Sequence, residues 1–149
     1  MPSIARIPPL LALLLWAAWG IGFLILVTAP FQFTRDQQIV DMKIAHVSPD
    51  IFVDTWKGGR VSLIDVGLNL LAFVPFGLLG AHTVAGAVRD RRRHVLIVTL
   101  LGFFLSLGVE TLQVFTRNRI PSSTDVVTNT LGACLGAWLR LRPGATETR

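Results

Sequence analysis

The sequence predicts an all-α fold: a membrane protein built as a bundle of four transmembrane helices. Two observations lead to this prediction. Hydrophobic residues make up 52% of the 149 residues and charged residues only 15%, whereas a soluble domain carries about a quarter charged residues. The apolar residues are also gathered into long runs, and a soluble domain of this size would leave roughly a third of its chain surface exposed. We therefore expect one membrane domain over residues 1–149 and exclude a soluble enzyme.

Four apolar segments predict the four spans. Ile7 to Thr34 and Val66 to Val88 contain no charged side chain, and Glu110 is the only one between His94 and Thr116. A spanning helix needs about 20 mostly apolar residues, a length that the fourth segment reaches only if Asp125 is included. The spans are expected at about residues 8–29, 64–86, 94–115 and 122–141. The first is interpreted as an anchor, because its apolar run is longer than the core of a signal peptide.

The segments between the spans have separate signals. The first loop, residues 30–62, contains enough apolar side chains over residues 36–47 for a short interfacial helix. The run from Lys57 to Arg60 predicts a turn, and Trp56 suits an aromatic anchor at the membrane boundary. Residues 143–149 are predicted to form a disordered tail.

The basic residues predict the orientation. Four arginines lie within five residues of the second loop, and more lie at the termini: Arg89, Arg91, Arg92 and Arg93, then Arg6, Arg140, Arg142 and Arg149. Basic residues concentrate in short cytoplasmic loops, so both termini are expected in the cytoplasm of a multi-pass protein. The net charge of +5 then reflects orientation and attraction to anionic lipids, and nucleic acid is not expected as a partner.

The third span carries small and polar side chains on one face. Five of them follow one another at steps of four, four, three and four residues: Gly102, Ser106, Glu110, Gln113 and Arg117. These steps place them on one side of a helix. Within a span, the Glu110 carboxylate needs a partner, a wet cavity or a proton. Its plainest role is an ion pair with Arg117 or Arg119.

The second and fourth spans begin with the same pattern, S-x-x-D-x-x-x-N, offset by 60 residues. The copies comprise Ser62, Asp65 and Asn69, and Ser122, Asp125 and Asn129. Both helices would run in the same direction, which predicts two related hairpins in parallel. A chance match stays open, and so does a capping role in which each serine is an N-cap and each acid lies in the first turn. The two asparagines would then form hydrogen bonds between helices.

Together these residues predict an outward-facing polar pocket of three acids, three amides and one or two arginines. A carboxylate there could serve as general acid or base, and three acids could hold a divalent cation. Arginine suits a phosphate. No serine or cysteine nucleophile with an adjacent base is apparent. Whether the protein is an enzyme therefore stays open, and the sequence names no cofactor.

Two motifs resemble the VanZ-like family of small membrane proteins. One is N-x-x-x-F-x-P-F-G from Asn69 to Gly77; the other begins with E-x-x-Q at Glu110 and continues with Arg119, Asp125, Asn129, Gly132 and Gly136. The resemblance covers about residues 65–141. It selects Arg119 as the functional arginine. The second acid that the family usually has beside Asp125 is absent here, so no metal site is predicted. The resemblance implies the bacterial inner membrane, the cell envelope and a link to teicoplanin resistance.

Residue roles follow from the pocket and the resemblance together. The candidate catalytic residues are Glu110, Asp125 and Arg119, and the candidate substrate-binding residues are Asp65, Asn69, Gln113, Arg117 and Asn129. The first hypothesis is that the pocket binds or modifies an anionic membrane lipid or a lipid-linked envelope precursor. The second is a non-enzymatic scaffold or antibiotic-shielding protein whose polar network is structural. The third is a transporter, which would need to form a homo-oligomer.

Overall fold

A computed structural model of the chain describes residues 7–54, 56, 58–85, 87–88 and 90–141. Its elements, in chain order, are helices and one small antiparallel hairpin: α1 (Pro9–Thr28), α2 (Gln37–His46), β1 (Val53–Asp54), β2 (Gly59–Arg60), α3 (Leu63–Val84), α4 (Arg91–Val114) and α5 (Ser123–Leu141). The predicted all-helical architecture is confirmed.

Three of the helices are long and apolar enough to cross a membrane: α1, α3 and α4. Their large apolar side chains are widely exposed, as at Leu26, Leu71 and Phe104. The fourth predicted span corresponds to α5, which is 19 residues long but does not meet the same criterion within the described part of the chain. Its first half is rich in hydroxyl and amide side chains and contains Asp125. The structure therefore supports three of the four predicted spanning helices.

Capping residues determine where the helices begin. The Ser62 side chain accepts a hydrogen bond from the Asp65 N–H at the start of α3. The Asp90 side chain accepts one from Arg92 at the start of α4. Pro9 is the first residue of α1, where the missing N–H costs nothing because it would have no intrahelical partner. These caps account for helix starts close to the positions that the sequence predicts.

Helices α3 and α5 pack backbone to backbone and run in the same direction. A Cβ atom added at Gly132 would overlap the Leu70 carbonyl oxygen, and one at Gly136 would overlap the Val74 carbonyl oxygen. Such closeness needs glycine on both helices, and Gly77 supplies it on α3. The aromatic core lies beside this contact and comprises Phe73, Phe76 and Ala133 with Trp16 and Phe23 packed against it.

The two ends of the bundle differ. One end, here called the loop end, carries α2, the β1–β2 hairpin and the α4–α5 connection. At the opposite end, Arg140 Nε donates to His82 Nδ1 at 3.0 Å, and His82 Nε2 lies 2.9 Å from the Ile7 carbonyl oxygen. These bonds join α3, α5 and Ile7, two residues before α1.

Several loop predictions can be compared with the structure. The short helix expected within residues 36–47 is confirmed as α2. The predicted turn contains Gly58 with a φ of 66°, a conformation that glycine adopts at no steric cost. Lys57 in that turn, Arg89 in the basic cluster and the tail over residues 143–149 lie outside the described residues.

Candidate functional site

A cavity of about 280 Å³ opens at the loop end, between the first turns of α3 and α5 and beneath the β1–β2 hairpin. We call it the loop-end cavity. Most of the described residues that line it are polar or aromatic: His46, Ser48, Asp54, Trp56, Asp65, Asn69, Ser122, Ser123 and Asp125. Three aspartates from three different elements therefore face one small volume.

The two copies of the repeated pattern lie side by side at this cavity. The Ser122 side chain accepts from the Asp125 N–H at 3.4 Å, and Ser62 accepts from Asp65 at the same distance. The capping role of both serines is thus confirmed. Because α3 and α5 run parallel in this register, Asp65 and Asp125 both line the cavity. That the two hairpins are related stays a prediction.

Glu110 lies on the other side of the α5 start. Its side chain is only 6% exposed, and its Oε2 accepts a hydrogen bond from the Ser122 N–H at 2.7 Å. It lines a second cavity, not the loop-end cavity. Among the described residues, its partner is this backbone N–H, whereas the expected ion pair with Arg117 or Arg119 does not form. Glu110 thus joins α4 to the beginning of α5.

Asn129 connects the same two helices deeper in the bundle. Its Nδ2 donates to Ser106 Oγ at 2.9 Å, and both residues are buried. The hydrogen bond between helices that the sequence offered as one interpretation of Asn129 is confirmed. Its Oδ1 atom is buried and has no hydrogen-bond partner among the residues that the structure describes. Asn69, the matching residue of α3, instead lines the loop-end cavity.

The remaining predicted site residues lie away from the cavity. Gln113 is buried, with its backbone oxygen engaged by Lys43. Arg117 is exposed and its backbone N–H donates to the Gln32 carbonyl at 2.8 Å. The Arg119 guanidinium reaches the Leu26 carbonyl at 3.4 Å, at the end of α1. The structure therefore brings together Asp65, Asn69 and Asp125, and places Glu110, Gln113, Arg117, Arg119 and Asn129 elsewhere.

Lys43 is a buried cation that the sequence did not single out. It is 3% exposed, and its Nζ donates to the carbonyl oxygens of Gln113 at 3.0 Å, Arg119 at 2.5 Å and also Thr116. These carbonyls lie at or just beyond the end of α4, where a positive charge complements the helix dipole. Burial lowers the pKa of Lys43. A lysine in a short, weakly amphipathic helix carries no signal of this role.

Replacing this lysine by methionine (Lys43→Met) is expected to destabilise the loop end. The change keeps the length of the side chain but removes the Lys43 donor from the Thr116 and Arg119 carbonyl oxygens, at a cost of about 2 kcal/mol, whereas the Gln113 carbonyl still accepts from Thr116. Thermal unfolding in detergent should show a lower melting temperature. Arg35→Met, at an exposed position before α2, is the matched control. Equal melting temperatures for the two variants would contradict the capping role.

The cavity wall also contains residues that no motif indicated. Asp54 belongs to β1, and the rings of His46 and Trp56 lie 5.2 Å apart in an edge-to-face arrangement. Because these three residues lie outside α3 and α5 in the sequence, no sequence pattern indicated that they line the same cavity. Within the described ranges, no group of three or more His, Cys, Asp or Glu residues has the geometry of a metal site. The wall thus offers carboxylate, amide and hydroxyl groups beside one aromatic face.

Comparison with known protein families identifies the family to which the chain is similar. A family model described as VanZ/LLP1 matches residues 10–141, which is most of the chain. The match confirms the resemblance that the two motifs indicated, and it extends through α1 and α2, which those motifs do not reach. No curated protein and no solved structure matches the chain.

Proposed function

The chain belongs to the VanZ/LLP1 family, and from this we propose that it is a membrane protein whose loop-end cavity binds the polar headgroup of a membrane lipid or a lipid-linked cell-envelope precursor. The observation that carries the proposal is the convergence of Asp54, Asp65 and Asp125 with Asn69 on a cavity of about 280 Å³ at one end of a bundle of apolar helices. Ionisable side chains within transmembrane segments are rare and by default indicate a functional site.

The placement in the membrane is part of the proposal. Helix α5 has 19 residues, which at 1.5 Å per residue is a length of roughly 28 Å and close to the hydrocarbon thickness. It packs against α3 along its glycines and bonds to α4 through Asn129, so its polar side chains are shielded from lipid. Counted as the fourth span, it places the arginine-rich α3–α4 connection and both termini in the cytoplasm of a bacterial inner membrane. The loop-end cavity then faces outward.

The chemistry of the cavity wall favours a headgroup that donates hydrogen bonds. Carboxylates accept but cannot donate, so Asp65 and Asp125 suit hydroxyl or ammonium groups. Trp56 offers an aromatic face to a sugar ring or a cation. The described wall contains no lysine or arginine. The role of Arg119 as a phosphate ligand stays a prediction.

We expect the double variant Asp65→Asn/Asp125→Asn to lose lipid while it stays folded. Each hydrogen bond to a charged group contributes about 1.5–3 kcal/mol, so affinity should fall by tenfold or more. The readouts are mass spectrometry of lipids that copurify with the protein and the teicoplanin susceptibility of cells that express it. Asp90→Asn, at the N-cap of α4 on the opposite end, is the matched control, because asparagine caps as well as aspartate. Unchanged lipid content and susceptibility would contradict the proposal.

A second candidate function is a scaffold or antibiotic-shielding protein that binds no specific lipid. Two observations favour it. The Glu110 carboxylate accepts a hydrogen bond from the Ser122 backbone N–H, and the Asn129 side chain donates one to Ser106 Oγ. On this proposal both residues only join α4 to α5. Substitutions at Glu110 would then change stability and resistance in parallel, whereas substitutions in the loop-end cavity would change neither.

A further inference from the structure

A second cavity of about 470 Å³ lies beside the loop-end cavity, between α4, α5 and the segment that follows α2. We call it the apolar groove, because its wall is formed mainly by Val47, Pro49, Ile51, Leu107, Val114 and Val127; its polar lining residues are Glu110, Thr111, Ser122 and Ser123. Leu107 and Val114 belong to α4, which is a candidate span. The groove is therefore at the depth of the membrane near the loop end.

The two cavities share one wall. Pro121, Ser122 and Ser123, at the start of α5, line both of them. The segment over residues 46–51 also separates the two cavities. Two hydrogen bonds hold it against α5: Ser123 Oγ donates to the Ser48 carbonyl at 2.5 Å, and Thr124 Oγ1 donates to the Ile51 carbonyl at 2.8 Å. The two cavities therefore lie on opposite sides of one wall.

The dividing segment has a polar side and an apolar side. His46 and Ser48 line the loop-end cavity, whereas the residues between and after them, Val47, Pro49 and Ile51, line the groove. The loop-end cavity and the apolar groove thus meet along one short segment. A polar cavity beside an apolar groove suits an amphiphile, which has a polar headgroup and a hydrocarbon chain.

We propose that the apolar groove holds the hydrocarbon chain of the amphiphile whose headgroup occupies the loop-end cavity. This inference rests on the proposed function and adds the second half of the ligand. A hydrocarbon chain is the proposed occupant because the groove adjoins the headgroup cavity across this wall and because its α4 wall belongs to a helix apolar enough to cross the bilayer, where hydrocarbon is available. The ligand is then recognised at two points: a hydroxyl- or ammonium-bearing headgroup, and a chain that leaves the bilayer sideways between α4 and α5.

The test uses the full chain in lipid nanodiscs and a probe, a glucosyl diacylglycerol with a photoactivatable diazirine in one acyl chain. We expect crosslinks in the peptides that contain Leu107–Val114 and Val126–Val127. Leu107→Trp should fill the groove and lower crosslinking roughly tenfold, because the loss of space for two methylene groups has about that effect on affinity. Leu101→Trp is the matched control, since Leu101 is 42% exposed and Leu107 is 41% exposed on the same helix.

The outcomes separate the two proposals. If Asp65→Asn/Asp125→Asn lowers crosslinking and Leu107→Trp does not, the groove inference is overturned and the headgroup proposal stands. If Leu107→Trp lowers it and the aspartate variant does not, the groove binds chains without the cavity, and the inference is overturned as well. If neither variant lowers it, both proposals fail. Val47→Trp, on the loop wall of the groove, repeats the test should Leu107→Trp fail to fold.

Discussion

Replacing Gly136 by valine (Gly136→Val) is expected to prevent the chain from folding into its bundle. A Cβ at this position would overlap the Val74 carbonyl oxygen and would lie 2.9 Å from the Leu78 nitrogen and 3.0 Å from the Gly77 Cα. All three atoms are backbone, so no side chain can rotate away and α3 must separate from α5. Overpacking typically costs 1–3 kcal/mol; with two helix backbones in contact we expect about 3 kcal/mol or more, a large part of the stability of an ordinary domain.

The measurement is size-exclusion chromatography in detergent after a series of heat steps. The matched control is Gly67→Ala in α3, where nothing lies within 4 Å of an added Cβ and where alanine favours the helix by about 1 kcal/mol. Gly136→Val should yield aggregated or unstable protein, whereas Gly67→Ala should melt at or above the temperature of the unchanged chain. A Gly136→Val protein that melts normally would show that α3 and α5 do not pack at this distance.

Substitution of Glu110 is expected to give the second largest effect and to separate structural from chemical roles. Glu110→Ala removes the acceptor of the buried Ser122 N–H, so it should lower the free energy of unfolding by about 1–3 kcal/mol. Glu110→Gln keeps an oxygen at the same place and should retain most of that stability. A neutral amide cannot, however, take up or release a proton as a catalytic carboxyl group would.

Thermal unfolding and teicoplanin susceptibility of the two variants are measured together. A structural role predicts that Glu110→Gln keeps both stability and susceptibility near those of the unchanged chain. A chemical role predicts a stable Glu110→Gln protein that has lost its effect on susceptibility. Thr111→Ala is a suitable control for stability, because Thr111 is the next residue on α4 and, within the described part of the chain, its hydroxyl bonds to the Leu107 carbonyl. A Glu110→Ala protein as stable as Thr111→Ala would contradict the role of the Ser122 bond.

The sequence predicted the family, the helical class and the start of each long helix well. These properties depend on local composition: apolar runs of spanning length, Ser62 and Ser122 as caps, and the glycines of α5. It also identified Asp65, Asn69 and Asp125 as members of one site, because parallel helices with the same opening pattern present matching residues at the same end. The resemblance to the VanZ-like family rested on these positions and was confirmed by the family match.

The grouping of the remaining polar residues could not be predicted in the same way. Helical periodicity shows that Ser106, Glu110 and Gln113 share a face of α4, but a face is wide enough to contact several neighbours. In the structure Ser106 meets Asn129, Glu110 meets Ser122, and the Gln113 backbone meets Lys43. Arg119 turns towards the end of α1. Residues that share one face of α4 therefore make three separate contacts, with Asn129, Ser122 and Lys43.

What the sequence by itself determined is the membrane class, the family, and the paired openings of α3 and α5, because composition and spacing act over one or two helical turns. Only the tertiary structure decided that Asp54, Asp65 and Asp125 share a cavity, that Glu110 lies outside it, and that Lys43 closes the end of α4. Those outcomes depend on how the one connection of more than thirty residues, between α1 and α3, returns to the bundle and on the register of α3 against α5. The register is set by backbone contact at Gly77, Gly132 and Gly136, and the spacing of glycines indicates a close helix contact without identifying the partner helix or the position along it.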